Sequence, residues 1–175
     1  MESEAVLLPS SLEDLEAVKR RCKSMLTKRA VASASVSIIP LPGLDIATDV
    51  GLLMQLIPEI NRQFGLTPEQ IERLKPHRKV VVYKAIVAFG GAFIGRVVTH
   101  ELIMATLKSV GLRLTLKQAS KYLPIAGQAL SAVLSFGAMR YVGVQHISDC
   151  ARVAAQVLGE EKHMAKHCPR AERVR

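Results

Sequence analysis

Apolar residues recur at intervals of three and four along much of the chain, which is the spacing of one face of an α-helix. Ser10 and Glu13 have the spacing of a capping box, in which the hydroxyl accepts an early amide and the carboxylate reaches back. This pattern predicts a first helix from Ser10 that ends before Pro40 and Pro42, because proline lacks an amide hydrogen. Its apolar positions are Leu12, Leu15, Val18, Cys22 and Met25.

A second helix is predicted between Gly43 and Phe64, with Gly65 as a left-handed C-terminal cap. A short third helix follows and ends before Pro76. Its start is indicated by a hydroxyl cap, a proline at the first helical position and a capping-box amide. The second helix is indicated by its apolar positions, Ile46, Val50, Leu53, Ile57 and Ile60. The third helix is indicated by Leu66, Thr67, Pro68, Gln70 and Ile71.

No proline interrupts the apolar-rich stretch from Lys79 to Val110, which we interpret as one long helix with a kink at Gly90 and Gly91. The residues 80–82 alone would also suit a strand. Gly111 is expected to end this helix, and a short helix between Thr115 and Leu123 is expected to follow.

A last long helix is predicted from Gly127 to Leu158, with Gly159 as its cap. The chain is therefore expected to hold one helical domain, over residues 10–159, between a flexible lead of residues 1–9 and a charged tail of residues 160–175.

The chain repeats one turn pattern, apolar, Pro, apolar, any residue, Gly. It is found at Pro40, Pro42 and Gly43 and again at Pro124 and Gly127. In each case proline ends the incoming helix and glycine permits a sharp turn. Two helical hairpins of one bundle are favoured over two membrane-dipping elbows. The predicted fold is a single all-α bundle of two to three long helices plus shorter ones.

Composition narrows the classes of partner. The chain has 175 residues, of which 49% are hydrophobic and 4% aromatic, without tryptophan, so few side chains can stack on single-stranded nucleic acid. Its formal charge is 24 − 15 = +9, which favours acidic partners. The predicted basic face comprises Lys19, Arg20, Arg21, Lys23, Lys117 and Lys121.

Reaction chemistry is not indicated by any motif. Gly90 to Val97 lacks the lysine and the hydroxyl residue of a phosphate loop, and His100 with Glu101 lacks the second histidine of a zinc protease, since position 104 is methionine. Asp45 and Asp49 suit the positive end of a helix dipole better than a carboxylate pair. The sequence therefore predicts no catalytic, cofactor or metal site, and no enzyme.

One cluster has the spacing of metal ligands. His163 and His167 would share a helix face with Cys168 beside them, but no fourth ligand is evident, so chance spacing is favoured over a metal site. The three cysteines are an odd number at wide spacing, and the chain opens without a signal-peptide pattern. We expect the reducing, cytoplasmic side of the cell.

The longest charge-free stretch, Tyr122 to Met139, has 139 − 122 + 1 = 18 residues. Because a helical span needs about 20 apolar residues and this stretch contains Pro124, peripheral contact is favoured over insertion. Three alternatives stay open: an integral membrane anchor or pore, a basic nucleic-acid binder, and an enzyme whose site is assembled from distant residues.

The stretch from Ser37 to Leu74, with its Pro-x-Pro-Gly turn, resembles the bacterial YcjF-like domain of unknown function. It is also similar to the helical region that follows the GTPase domain in immunity-related GTPases, and the likeness continues through the second turn up to Gly143. The resemblance implies an all-helical, membrane-associated module that accompanies a GTPase domain in the same chain or nearby. The chain lacks a recognisable GTPase domain, so nucleotide hydrolysis does not carry over.

These observations together predict a non-catalytic helical module on the cytoplasmic side, peripheral to or inserted in the inner membrane. Its expected partner is an anionic membrane surface or a protein, with a GTPase as the candidate that the resemblance implies. Nucleic acid is the less favoured partner.

Overall fold

The structure, a computed structural model, describes residues 8–36, 44–89, 91–118 and 127–167. This part of the chain is all-α, as predicted, and contains no strand. Its helices are α1 (Leu12–Val36), α2 (Leu44–Phe64), α3 (Pro68–Glu72), α4 (Pro76–Phe89), α5 (His100–Gln118) and α6 (Gly127–His167).

The longest helix, α6, is the centre of the bundle. Helices α1, α2, α4 and α5 all pack on it, while α1 also packs on α2, and α2 on α5. Small residues let the neighbours approach closely: a Cβ added at Gly143 would lie 2.8 Å from a methyl carbon of Leu26 on α1. Two apolar clusters result, one joining α1, α2, α3, α4 and α6, the other joining α1, α2, α5 and α6.

The first helix begins one residue later than the predicted capping box. The Asp14 amide donates to the Ser11 hydroxyl at 3.0 Å, and the Ser10 hydroxyl donates to the Asp14 carboxylate at 2.5 Å. Ser11 is therefore the N-cap, and the prediction of a box between Ser10 and Glu13 is wrong. With the cap at Ser11, both serine hydroxyls are bonded to Asp14.

The predictions for α2 and α3 are confirmed. Gly65 follows α2 with φ of 71°, which only glycine adopts without strain. The Gln70 amide donates to the Thr67 hydroxyl at 3.2 Å, and the Thr67 amide donates to the Gln70 side chain at 3.1 Å. Leu66 and Ile71, the apolar residues on either side of this capping box, are both fully buried.

The prediction of one long helix over residues 79–110 is wrong, because α4 ends at Phe89 and α5 begins at His100. Gly95, with φ of 67°, donates its amide to the Leu66 carbonyl at 3.3 Å, and the Thr99 hydroxyl accepts the Leu102 amide at 3.3 Å as a new cap. The connection buries Phe93 and Ile94 in the two clusters, which a continuous helix would not allow.

Two glycines expected to end helices do not. Helix α5 continues through Gly111 to Gln118, so no separate short helix begins at Thr115, and α6 continues through Gly159 to His167. A glycine keeps its donor and acceptor, and in a helix interior it costs only about 1 kcal/mol relative to alanine. It ends a helix only where the backbone turns left-handed.

Most residues of the two predicted turns, Pro40, Pro42, Gly43 and Pro124, lie outside the described residues, and Gly127 is the first residue of α6. Within the described ranges, every helix is too short or too polar to cross a bilayer.

Two glycine substitutions should shift stability in opposite directions. Gly95→Ala should lower the free energy of unfolding by about 1–2 kcal/mol, because alanine is strained at positive φ. Gly51→Ala should raise it by up to about 1 kcal/mol, because Gly51 is helical and a Cβ there meets nothing within 4 Å. Urea denaturation measures both. Equal effects of the two substitutions would contradict the conformation assigned to Gly95.

Candidate functional site

The bundle interior contains one polar cluster among the described residues, which we call the buried polar cluster: Asn61 on α2, and His146 and Cys150 on α6. The Cys150 Sγ lies 3.6 Å from both the Asn61 Oδ1 and the His146 Nε2. The Asn61 side-chain amide donates to the Phe93 carbonyl at 2.9 Å, and the Phe93 ring meets the imidazole edge-on at 5.5 Å.

Local sequence explains this arrangement. His146 and Cys150 are four residues apart, so they lie on the same face of α6, which here points into the bundle. Asn61 lies on the inner face of α2 next to Ile60 and opposite Cys150. No sequence motif pointed to this cluster, although a histidine and a cysteine one turn apart within an apolar helix face are a usable signal.

A cysteine, a histidine and an asparagine also form the active sites of some hydrolases, but the electrostatics here are different. Burial lowers the pKa of His146 to about 4, and the nearby Ile57 carbonyl opposes this only in part. Burial also raises the pKa of Cys150 well above its usual value. Both groups are therefore uncharged near pH 7, whereas nucleophilic cysteines act as thiolates.

The second described thiol is likewise buried. Cys22 on α1 is completely enclosed, and burial, together with the Glu59 carboxylate, raises its pKa to about 12. Cys22 and Cys150 are both free thiols. The chemistry that this interior supports is hydrogen bonding and packing between α1, α2 and α6.

The predicted basic residues on α1 are spread around the helix. Lys19, Arg20 and Arg21 are consecutive on α1, so their side chains point about 100° apart. Lys19 binds the Glu16 carboxylate at 3.0 Å, and Arg21 donates to the Gln63 side chain on α2 at 3.5 Å. Lys19 therefore pairs with an acid of its own helix, and Arg21 is bonded to α2, although the uncharged Gln63 does not balance its charge.

A narrower cationic surface is left on α1, which we call the outer basic face: Arg20, Lys23 and Lys28. All three side chains are exposed, and none forms an ion pair within the described part of the chain. Lys28 was not among the predicted residues. An open depression next to Lys23 and Lys28 is also lined by Ser24 and Thr27.

The distribution of acids along α1 leaves the outer basic face without negative charge on the same stretch of helix. The acids of α1 all lie in its first turns, and no Asp or Glu occurs from residue 17 to residue 44. Of the other predicted basic residues, Lys117 lies on α5, but nothing is described of its side chain, and Lys121 lies outside the described residues. Of the six predicted residues, Arg20 and Lys23 belong to the outer basic face, and the grouping of all six stays a prediction.

Glu59 lies at the seam between α1 and α2, where these two helices pack on each other, and it is hydrogen-bonded to its neighbours on α2. The Glu59 carboxylate accepts two hydrogen bonds from Arg62, at 2.7 and 2.9 Å, and one from Gln63 at 2.8 Å. The Arg62 guanidinium holds the pKa of Glu59 below its usual value, and Arg29 on α1 adds to this effect. Arg29 thus belongs to the seam and not to the outer basic face.

The other sequence candidates are not brought together. Glu101 is exposed in the first turn of α5, where hydrogen bonds from its own amide and from Thr99 lower its pKa. The structure places Asp45 and Asp49 at the start of α2 and describes nothing of their side chains. Within the described residues, no group of three His, Cys, Asp or Glu could hold a metal ion. Cys168 lies outside them, so the spacing of His163 and His167 stays untested.

Comparison of the chain with protein-family models, with curated proteins and with solved structures finds no match in any of the three. The similarity to the YcjF-like domain and to immunity-related GTPases stays a prediction, and the GTPase partner rests on that resemblance alone.

The buried histidine should make stability depend on pH. Because the pKa of His146 is about 4 in the folded protein and 6.5 for an unperturbed histidine, the unfolded chain binds the extra proton between these values. Uncharged His146 therefore contributes to the free energy of unfolding above pH 6.5. This contribution, up to about 3 kcal/mol, is lost as the pH falls toward 4. Urea unfolding of wild type and His146→Leu between these pH values measures the difference. Parallel curves for the two proteins would contradict this assignment.

The buried thiols should not react in the folded protein. In a Cys168→Ser chain, we expect no labelling of Cys22 or Cys150 by a thiol reagent near pH 8, because the thiolate is disfavoured and enclosed. After denaturation in urea, both should be labelled within minutes. Rapid labelling of the native chain, measured by mass spectrometry, would show that the cluster is open to solvent.

Proposed function

We propose that the chain is a non-catalytic helical module that attaches peripherally to an anionic membrane surface. One observation carries the proposal: the outer basic face of α1 exposes Arg20, Lys23 and Lys28 without an acidic partner in the described part of the chain. An exposed cation whose charge is not balanced locally attracts anionic lipid headgroups, at about 1 kcal/mol per residue near the surface.

The position of these cations supports a surface contact. Arg20 lies on the side of α1 that faces away from Leu15, Cys22 and Leu26, which are buried against the bundle, and Lys23 and Lys28 lie on either side of Arg20 around the helix. Ser24 and Thr27 lie between them, so hydroxyl groups accompany the charges where phosphate oxygens would approach. Such a surface needs no rearrangement of the fold to meet a headgroup layer.

The non-catalytic part of the proposal is supported by the state of the interior. The nucleophile and the base in the buried polar cluster are uncharged near neutral pH and lie away from solvent. The other titratable groups that the sequence singled out are dispersed over separate helix ends. A role in binding therefore accounts for the described side chains better than a reaction does.

The proposal predicts binding that depends on lipid charge and on salt. In flotation assays, vesicles with about 30% phosphatidylserine should retain the protein, and vesicles of phosphatidylcholine alone should not. Raising NaCl from about 0.05 M to about 0.5 M should release most of the bound protein, because the Debye length shortens. Equal recovery with both lipids, or no recovery with either, would contradict attachment to an anionic surface.

A pair of variants tests whether α1 contributes. Lys23→Gln with Lys28→Gln should weaken partition into anionic vesicles by about fivefold or more, because each charge near the surface contributes about 1 kcal/mol. The matched control is Lys108→Gln with Arg140→Gln, which removes the same charge from exposed positions on α5 and α6. Equal losses in the two pairs would mean that net charge, and not the outer basic face, drives binding.

A further inference from the structure

Helix α4 is apolar on two opposite faces, although only one of them is buried. Val82 and Ala85 point into the bundle and are fully enclosed. On the opposite side, Val80, Tyr83 and Val87 are 52%, 45% and 84% exposed. A helix that is apolar on all sides is normally covered on all sides. The outer face of α4, defined as Val80, Tyr83 and Val87, therefore lacks a covering layer in the described structure.

The surroundings of this face are cationic. No Asp or Glu occurs from residue 73 to residue 100, a stretch that contains four lysine or arginine residues before Val80 and two after it. Lys84 is exposed on the same side of α4 as Val80 and Val87. The nearest acid, Glu72, is bonded to Lys79 at 2.6 Å and to the Tyr83 hydroxyl at 3.1 Å, so its charge is partly compensated.

We infer that the outer face of α4 enters the headgroup region of an anionic bilayer, with Val80 and Val87 reaching toward the acyl chains and Lys84 staying among the phosphates. This inference rests on the proposed membrane attachment and names the element that makes the apolar contact. Helices that lie in a membrane interface combine these features, an apolar face and cations beside it.

A bilayer fits this face better than a protein partner does. The apolar contact runs from Val80 to Val87, roughly 10 Å along the helix. Three side chains over this length bury far less than the roughly 800 Å² per partner of a stable protein interface. A bilayer accepts a small apolar contact when cations act with it. Apposition of two copies through α4 would bring Lys84 and its neighbouring cations together, which opposes self-association.

Helices α1 and α4 both pack on α6. Packed helices have axes about 8–10 Å apart, so α1 and α4 lie at most about 20 Å from each other where each meets α6. Near 0.1 M salt the Debye length is about 10 Å, so the cations of α1 act on the bilayer across such a distance only at lower salt.

The experiment uses one probe position on each of two helices. A Cys168→Ser chain with Val87→Cys carries an environment-sensitive fluorophore on α4. The matched control carries it at Leu12→Cys, which is an equally apolar position on α1 that is 57% exposed but lies beside Glu13 and Asp14. On vesicles with about 30% phosphatidylserine, the emission of the α4 probe should shift to the blue and resist aqueous quenchers, and that of the control should not.

Two substitutions of equal charge give the binding readout. Val87→Asp should weaken partition into the same vesicles by about fivefold or more, because it removes an apolar contact and adds a negative charge at the surface. Leu12→Asp adds the same charge and should weaken partition less than about twofold, because its position is not at the proposed contact. Both sites are exposed, so both variants should unfold in urea at the same midpoint as wild type.

The outcomes separate this inference from the proposed function. If the wild-type chain binds anionic vesicles but the α4 probe stays unshifted and Val87→Asp binds no more weakly than Leu12→Asp, the role of α4 is wrong and membrane attachment stands. That result would leave the outer face of α4 to a protein partner. If the wild-type chain does not bind anionic vesicles at all, the proposed function fails and the inference fails with it.

Discussion

The packing of four helices around α6 is the constraint on which the rest of the structure depends. A helix that contacts α1, α2, α4 and α5 must be apolar or small over most of its circumference, and α6 meets this need with Gly143, Ala151 and Ala154 among its buried positions. Close approach at Gly143 brings Leu26 of α1 against the α6 backbone. The outer basic face of α1 and the outer face of α4 are each the far side of a helix that α6 holds in place.

The buried polar groups restrict how α2 can pack against α6. A shift of α2 relative to α6 would separate the Asn61 side-chain oxygen from the Cys150 thiol and leave both buried groups unpaired, at a cost of about 1–3 kcal/mol for each group. The edge-on contact of Phe93 with His146 extends this constraint to the connection between α4 and α5. The same burial that fixes the packing keeps the histidine and the thiol uncharged.

The two exposed surfaces differ in what they show about a partner. The outer basic face of α1 consists of long cationic side chains, which are stable in water and attract anions at a distance. The outer face of α4 exposes valines, which gain nothing from water, and the gain from covering them requires direct contact. The proposed headgroup layer would offer both kinds of interaction, charge at its surface and apolar volume beneath it.

The sequence by itself determined the helical class, α2 with its glycine cap, and the Thr67 to Gln70 capping box, because these depend on hydrogen bonds and spacing within a few residues. It could not determine the break between α4 and α5, since Gly91 and Gly95 suit a kinked helix as well as a turn. That choice depended on burying Phe93 and Ile94 in two different clusters. Nor could it show which cations pair with acids, or that Val80, Tyr83 and Val87 face outward. Those properties depend on which side of each helix α6 covers, and only the tertiary packing decides this.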